Sequence, residues 1–262
     1  MDKVKPKKAL GQHFLTDEPT AARIAATLDS VARMPTVEVG PGMGMLTKYL
    51  LERQAPLKVV EVDGESIEWL NAHYPALHGN IIDGDFLKLN LNELFPDAEK
   101  IAVIGNYPYN ISSQIFFHVL DYKDRVEVCS GMLQREVAER LAAPEGTKAR
   151  GILSVLLQSW FDVEYLFTVS ENVFNPPPKV KSGVVKLTRN AVTDLGCDER
   201  LFKIVVKTTF GQRRKTLRNS VRPLIPAEKV AALADNPMMG LRPEQLSVAQ
   251  FIELTNFIAS LR

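Results

Sequence analysis

Cysteine is scarce: the 262 residues contain two, Cys129 and Cys197, which form no CxxC or other metal-spaced cluster. Four scattered histidines (His13, His73, His78 and His118) show no ligand spacing either. A zinc site is therefore not expected, and no metal is assigned. So little cysteine suits a reducing cytosol. No apolar run approaches the length of a bilayer span, and none follows the basic N-terminus as a signal-peptide core would. These absences predict a soluble cytoplasmic protein with no membrane partner. Internal repeats and low-complexity tracts are absent too. The last deficit is local: between Leu201 and Ala227 there is no acid, but seven basic residues, Lys203, Lys207, Arg213, Arg214, Lys215, Arg218 and Arg222.

That run explains why a net charge of +1 misleads. Residues 1–171 carry 17 Lys and Arg against 24 Asp and Glu, whereas residues 172–262 carry 15 against 7. A charge run is often only a solvated helix face. An acid-free run of this length on an otherwise acidic chain favours a polyanion held through its phosphates. Residues 1–10 (MDKVKPKKAL) read as a mobile basic arm.

From Thr36 to about Gln134 short apolar runs alternate with helical patterns. Strands are expected at 37–39, 57–60, 79–82, 101–104 and 125–132, with helices near 43–53, 65–73, 111–120 and 134–142. Repeated βα units of this spacing predict a parallel, doubly wound α/β sheet. Two later β-rich segments, 163–168 and 184–188, lack a long helix between them and suit an antiparallel closing pair. Beyond Asn190 the pattern is helical, with prolines at 223, 226, 237 and 243 as breaks. The expected organisation is an α/β domain over 1–190 and a small all-α domain over 191–262.

In an open α/β sheet, ligands bind outside the carboxyl ends of the strands. Here those ends carry Gly40-Pro41-Gly42-Met43-Gly44, then Glu61-Val62-Asp63, Asp83-Gly84-Asp85 and Asn106-Tyr107-Pro108-Tyr109. Steps of 21, 24 and 21 residues separate Gly40, Glu61, Asp85 and Asn106. Each step is one βα unit, so the four converge on one crevice. The glycines let a ligand approach the backbone and leave amides free. A dinucleotide fingerprint needs a glycine where this chain has Met45, which disfavours a NAD dehydrogenase. Glu61 is placed to accept from ribose hydroxyls and Asp85 from an adenine amino group, although Asp63 and Asp85 read singly as helix N-caps. Together they describe a site for an adenosine without a diphosphate, for which S-adenosylmethionine is the candidate cofactor.

The tetrapeptide NYPY then acquires a chemical reading. An exocyclic adenine nitrogen is a poor nucleophile, because its lone pair is delocalised into the ring. Two acceptors, the Asn106 side-chain oxygen and the Tyr107 carbonyl, can grip its hydrogens and aim that lone pair at a methyl donor. Pro108 fixes the turn and Tyr109 stacks on the base. Positioning then supplies most of the catalysis. The alternative is a plain turn with core aromatics.

At this point the chain resembles the KsgA/RsmA family of 16S ribosomal RNA adenine dimethyltransferases, relatives of the Erm 23S enzymes. The resemblance rests on KKALGQHFL (7–15), VEVGPGMGMLT (37–47), EVD (61–63), GDFL (84–87), IGNYPYNIS (104–112), MLQREVAERL (132–141), ILSV (152–155), FNPPPKVKSGVV (174–185) and FGQRRKTLRN (210–219). It implies a class I S-adenosylmethionine-dependent methyltransferase fold with a small helical C-terminal domain. By matching position, the cofactor contacts fall on His13, Leu15, Gly40, Gly42, Glu61, Asp85 and Asn106. Phe174, which on residue grounds alone is a core aromatic, is implied to face Tyr109 across the base. The family usually has Asn at His13 and Leu at Tyr107. The implied reaction is dimethylation of N6 of two adjacent adenines in a hairpin loop near the 3′ end of 16S rRNA in the small (30S) subunit. A monomer is expected, with Arg213, Arg214, Lys215 and Arg218 gripping RNA backbone. The rivals are an Erm-like 23S enzyme, a DNA adenine-N6 methyltransferase and a ribosome-assembly factor without catalysis.

Overall fold

The structure is a computed structural model that describes residues 4–262. Its strands are β1 (Phe14–Leu15), β2 (Thr36–Val39), β3 (Leu57–Glu61), β4 (Ile81–Asp83), β5 (Ile101–Asn106), β6 (Val126–Gln134), β7 (Phe161–Val169), β8 (Phe174–Asn175) and β9 (Ser182–Arg189). The α-helices are α1 (Glu18–Ala25), α2 (Thr47–Glu52), α3 (Gly64–His73), α4 (Ser112–Asp121), α5 (Arg135–Leu141), α6 (Ile152–Gln158), α7 (Glu199–Gly211), α8 (Leu217–Ser220) and α9 (Val248–Ser260). Seven strands form one sheet in the order β4-β3-β2-β5-β6-β9-β7. The first five run parallel, and β9 pairs antiparallel with β6. The late β segments therefore do extend the sheet.

The central strands are β-branched and apolar because both of their faces are covered, as parallel sheets require. Ala102, Ile104, Val128 and Met132 present one face to a core completed by Ile24, Leu28, Leu46, Leu50 and Leu70. Asp17 starts α1 by accepting from the Thr20 N–H at 2.9 Å, with Pro19 in the first turn.

The chain divides into two compact units, Met1–Glu139 with Asp162–Arg189, and Arg140–Phe161 with Asn190–Arg262. The second resumes at Asn190, where the pattern turns helical, and also takes in Arg140–Phe161, which a single boundary at residue 190 leaves with the first. Its α6 is a run of apolar residues (ILSVLL) whose periodicity cannot separate a buried helix from a strand. In α7, Asp198 caps by accepting from Leu201 N–H at 2.6 Å, and Leu201, Phe202, Val205, Val206, Thr209 and Phe210 form the buried face. Against it lie α6 and α9, the latter opened by a Ser247/Gln250 capping box.

Two expectations need correction. The helix expected from Met43 begins at Thr47, because Gly42 and Gly44 take positive φ (55° and 82°) and hold 41–46 as a turn. The basic arm is not loose where it is described: Val4 is buried, Lys8–Leu10 form a 3-10 turn and Lys7 is ion-paired with Asp63. Residues 1–3 of that arm lie outside the described residues. No helix among the described residues is long and apolar enough to cross a membrane.

Candidate functional site

The parallel strands deliver their carboxyl ends to a cavity of about 440 Å³. Its wall takes residues from the turn after β2, the ends of β3 and β5, and the segment Leu10–Thr16. At Gly42 a side chain would strike the Phe14 ring, since an added Cβ would lie 2.8 Å from it. The N-terminal segment can close over this turn only because the turn is glycine.

Glu61 ends β3 and knots that turn to the strand. Its Oε2 accepts from the Gly42 N–H (3.1 Å), and Oε1 accepts from Val62 (2.9 Å) and Asp63 (3.1 Å). Burial pushes its pKa above the ordinary carboxylate range; the three N–H donors pull the other way without prevailing. Oε2 keeps acceptor capacity for a hydroxyl. Beside it Val62, half exposed, offers an apolar wall. Asp63 serves a different purpose. It is buried and holds Lys7, Gln12 (3.1 Å) and Ser66 (2.9 Å). Burial would raise its carboxyl, but these partners, Lys7 foremost, bring it below the usual range. Asp63 thereby clamps the N-terminal segment at the cavity.

At the end of β5, Asn106 Nδ2 donates to the His13 carbonyl at 3.0 Å. That bond fixes the amide and leaves Oδ1 as its acceptor for a ligand. Tyr107 sends its ring the other way, into the core. The hydroxyl donates to the Ser130 carbonyl (2.7 Å) and the ring meets Phe116 edge-on at 5.6 Å. There is room because Gly105 and Gly131 lack side chains: a Cβ on Gly131 would sit 2.6 Å from that ring. Tyr107 still belongs to the cavity wall, although its ring is committed to the core. A tyrosine is accommodated because its polar tip finds a partner. Tyr109 stacks on the His13 ring (5.4 Å between centroids, 29° between planes) and hydrogen-bonds Ser182 Oγ at 2.5 Å. His13 in turn donates from Nδ1 to the Pro176 carbonyl at 2.8 Å.

The cavity thus brings together His13, Leu15, Gly40, Gly42, Glu61, Asn106, Tyr107, Pro108 and Tyr109. Asp85 and Phe174 are not in its wall. Asp85 caps the turn Phe86–Lys88 by accepting from Leu87 N–H at 3.0 Å, the N-cap reading of the sequence. Phe174 is buried in the core and sits opposite Leu15 in the antiparallel β1–β8 pair; the ring stacked on Tyr109 is His13. Strands of two residues carry no pattern, which is why the pairing is invisible in sequence.

Glu38 was missed by sequence reasoning although it lines the cavity. It is 1% exposed, and its Oε2 accepts from Thr47 Oγ1 at 2.7 Å. Burial, opposed by that bond and reinforced by the neighbouring Glu61 charge, pushes its pKa up to about 8. An acid inside an otherwise apolar strand (TVEV) was the available signal. Trp69 and Tyr74 also line the cavity and bind the glycine turn, donating to the Met43 (3.2 Å) and Gly44 (3.0 Å) carbonyls.

In the second unit, Arg213, Arg214 and Lys215 line a shallow hollow after α7. The Arg213 guanidinium donates to the Lys148 carbonyl at 2.6 Å, while Arg214, Lys215 and Arg218 are exposed.

Comparison with known proteins identifies the family. The model of the family described as "Ribosomal RNA adenine dimethylase" matches residues 3–260. The chain belongs to the ribosomal RNA adenine dimethylase family. Among relatives of this dimethylase, "Ribosomal RNA small subunit methyltransferase A" of Parabacteroides distasonis is 64% identical, over 96% of this chain and 93% of the relative. Its namesake in Flavobacterium johnsoniae is 54% identical over 98% and 97%. A dimethyladenosine transferase from Plasmodium falciparum shares the fold, with a TM-score of 0.78 at 22% identity over 95% of this chain and 98% of that one. The 23S rRNA methyltransferase ErmE gives 0.66 at 26% identity over 93% and 99%. The dimethylase is thus an S-adenosylmethionine-dependent rRNA adenine methyltransferase with the α/β, Rossmann-like fold of its class. Its residues fit that cofactor: a buried carboxylate with spare acceptor capacity, a glycine turn and an apolar wall meet in one cavity.

Proposed function

We propose that this dimethylase methylates N6 of two adjacent adenines, twice each, in the hairpin loop near the 3′ end of 16S rRNA. It would act in the cytoplasm as a monomer on the small (30S) ribosomal subunit, and serve subunit biogenesis by doing so. Glu61 holds the cofactor's ribose, and Gly40 and Gly42 give it backbone access. Leu15 and His13 bound the same space from the N-terminal segment. Asp85 uses one acceptor site as a cap and keeps others for an adenine amino group. When bound, S-adenosylmethionine supplies an electrophilic methyl carbon on a sulfonium.

Asn106 Oδ1 and the Tyr107 carbonyl accept the two hydrogens of the target amino group and localise its lone pair. The observation that carries this reading is the Asn106–His13 bond, which commits the amide nitrogen and leaves the oxygen to accept. Tyr109, backed by His13 and tied to Ser182, offers a fixed face for the base. Phe174 contributes by bracing Leu15 from the core. Nitrogen becomes strongly acidic once alkylated, so its proton passes to solvent along these hydrogen bonds and no strong base is needed. A loop base is cheaper to extrude than a paired one, which suits a pocket that encloses it. Arg213, Arg214, Lys215 and Arg218 hold RNA phosphates.

The test offers labelled methyl donor with undermethylated small subunits, large subunits and DNA side by side. Label is expected in small subunits alone, on the two adjacent adenines. Label confined to large subunits or DNA overturns the substrate assignment.

A further inference from the structure

Val180 is one of three large apolar side chains exposed among the described residues, with Val62 and Ile204. Val62 is accounted for by the cavity it lines. Val180 is not, and it stands between two exposed lysines, Lys179 and Lys181, for which no ion pair is found among the described residues. Lysines in a mobile loop would need no explanation, but this loop is held at both ends. At its start the Pro176 carbonyl accepts from His13, the residue stacked on Tyr109. At its end Ser182 bonds the Tyr109 hydroxyl, and the Lys181 carbonyl accepts from Arg135 N–H at 3.0 Å. Three consecutive prolines stiffen the approach, with Pro178 buried as a root. Val180 is therefore two residues from the partner of the base-holding tyrosine, on a stiff support.

We propose that the loop from Pro176 to Lys181 keeps the target adenine extruded, with Val180 filling its vacated place in the base stack and Lys179 and Lys181 holding the flanking phosphates. This rests on the function proposed above. Enzymes that act on a flipped base must offset the lost stacking, and an apolar wedge does so where the base was. Phosphate contacts on either side fix the wedge in register without reading sequence. The two ties to His13 and Tyr109 give the coupling: the same residues set the wedge and the face that receives the base.

The experiment measures methyl transfer to undermethylated small subunits by wild type, Val180→Ala, Val180→Leu and the double variant Lys179→Gln/Lys181→Gln, with cofactor affinity measured for each. Val180→Ala is expected to lower kcat about tenfold, with KM for subunits and cofactor affinity within about twofold of wild type. Val180→Leu restores turnover. The double variant weakens subunit binding and lowers the slope of log K against log salt by about 1.4, as two lost phosphate contacts require. Wild-type turnover in Val180→Ala, or an unchanged salt slope in the double variant, overturns the proposal while the function stands. Failure of wild type to label small subunits overturns both.

Discussion

The cavity at the ends of β2, β3 and β5 and the basic run after α7 hold their side chains by different means. At the cavity the polar groups are committed: Glu61 to three N–H donors and Asn106 to a carbonyl from the N-terminal segment, with Asp63 beside the wall held by Lys7, Gln12 and Ser66. After α7, Arg214, Lys215 and Arg218 stand exposed, while the Arg213 guanidinium donates to the Lys148 carbonyl. A committed group acts by geometry, so its loss removes a specific capability. An exposed cation acts by charge, so its loss is graded, shared with neighbours and dependent on salt.

The cavity's dependence on geometry is greatest at Asn106. Replacing it with Ala removes the side-chain acceptor for the target amino group, whose orientation the His13 bond fixes. Turnover on small subunits is expected to fall by about 10²- to 10³-fold, the scale of losing a positioned hydrogen-bonding group in a transition state. Cofactor affinity, measured by calorimetry, stays within about threefold because Glu61 and the glycine turn are untouched. Near-normal turnover would show that the cavity does not work by positioning.

How much of this was legible in sequence follows the same division. The glycine turn, Glu61 and Asn106 could be aligned because each sits where a βα unit ends, and chain spacing reports that directly. Charge is equally visible, so the basic run stood out as a deficit of acid. Contacts between distant segments were not legible. The Asn106–His13 bond joins residues far apart in the chain, and the β1–β8 pair is two residues long. The Tyr107 ring depends on absent side chains at Gly105 and Gly131, one of them on a neighbouring strand. Phe174 illustrates the limit: its place opposite Leu15 depends on a register that no local pattern encodes.

Burial in the cavity also carries a cost in stability, greatest at Glu38. With its folded-state pKa raised to about 8, it binds a proton in the folded protein that the unfolded chain has already released. Between the ordinary carboxylate range and pH 8 the folded state therefore holds more protons, and stability falls as pH rises. The expected decline from this group is roughly 3–5 kcal/mol across that window. Glu61, also raised, adds in the same direction. Denaturant unfolding of Glu38→Gln from pH 5 to 8 should show a flatter decline than wild type, with the largest gain in stability near pH 8. Parallel slopes for the two proteins would mean that Glu38 does not hold a proton in the folded cavity.

The smallest effect belongs to the basic run. Arg213 is a poor probe of phosphate binding, because reversing it would also remove its bond to the Lys148 carbonyl and disturb the turn after α7. Arg214 and Lys215 are exposed, so Arg214→Glu/Lys215→Glu changes charge with little cost to folding. Each lost phosphate contact lowers the salt slope by about 0.7 on single strands and up to about 0.9 on duplex. The double reversal is thus expected to weaken small-subunit binding at low salt and to flatten its salt dependence by about 1.4 to 1.8. Saturating turnover should remain within about twofold of wild type, since neither residue is in the cavity wall. A collapse in saturating turnover would place these cations in the chemistry, and an unchanged salt slope would remove them from the RNA. Either result would erase the contrast between a region that works by geometry and one that works by charge.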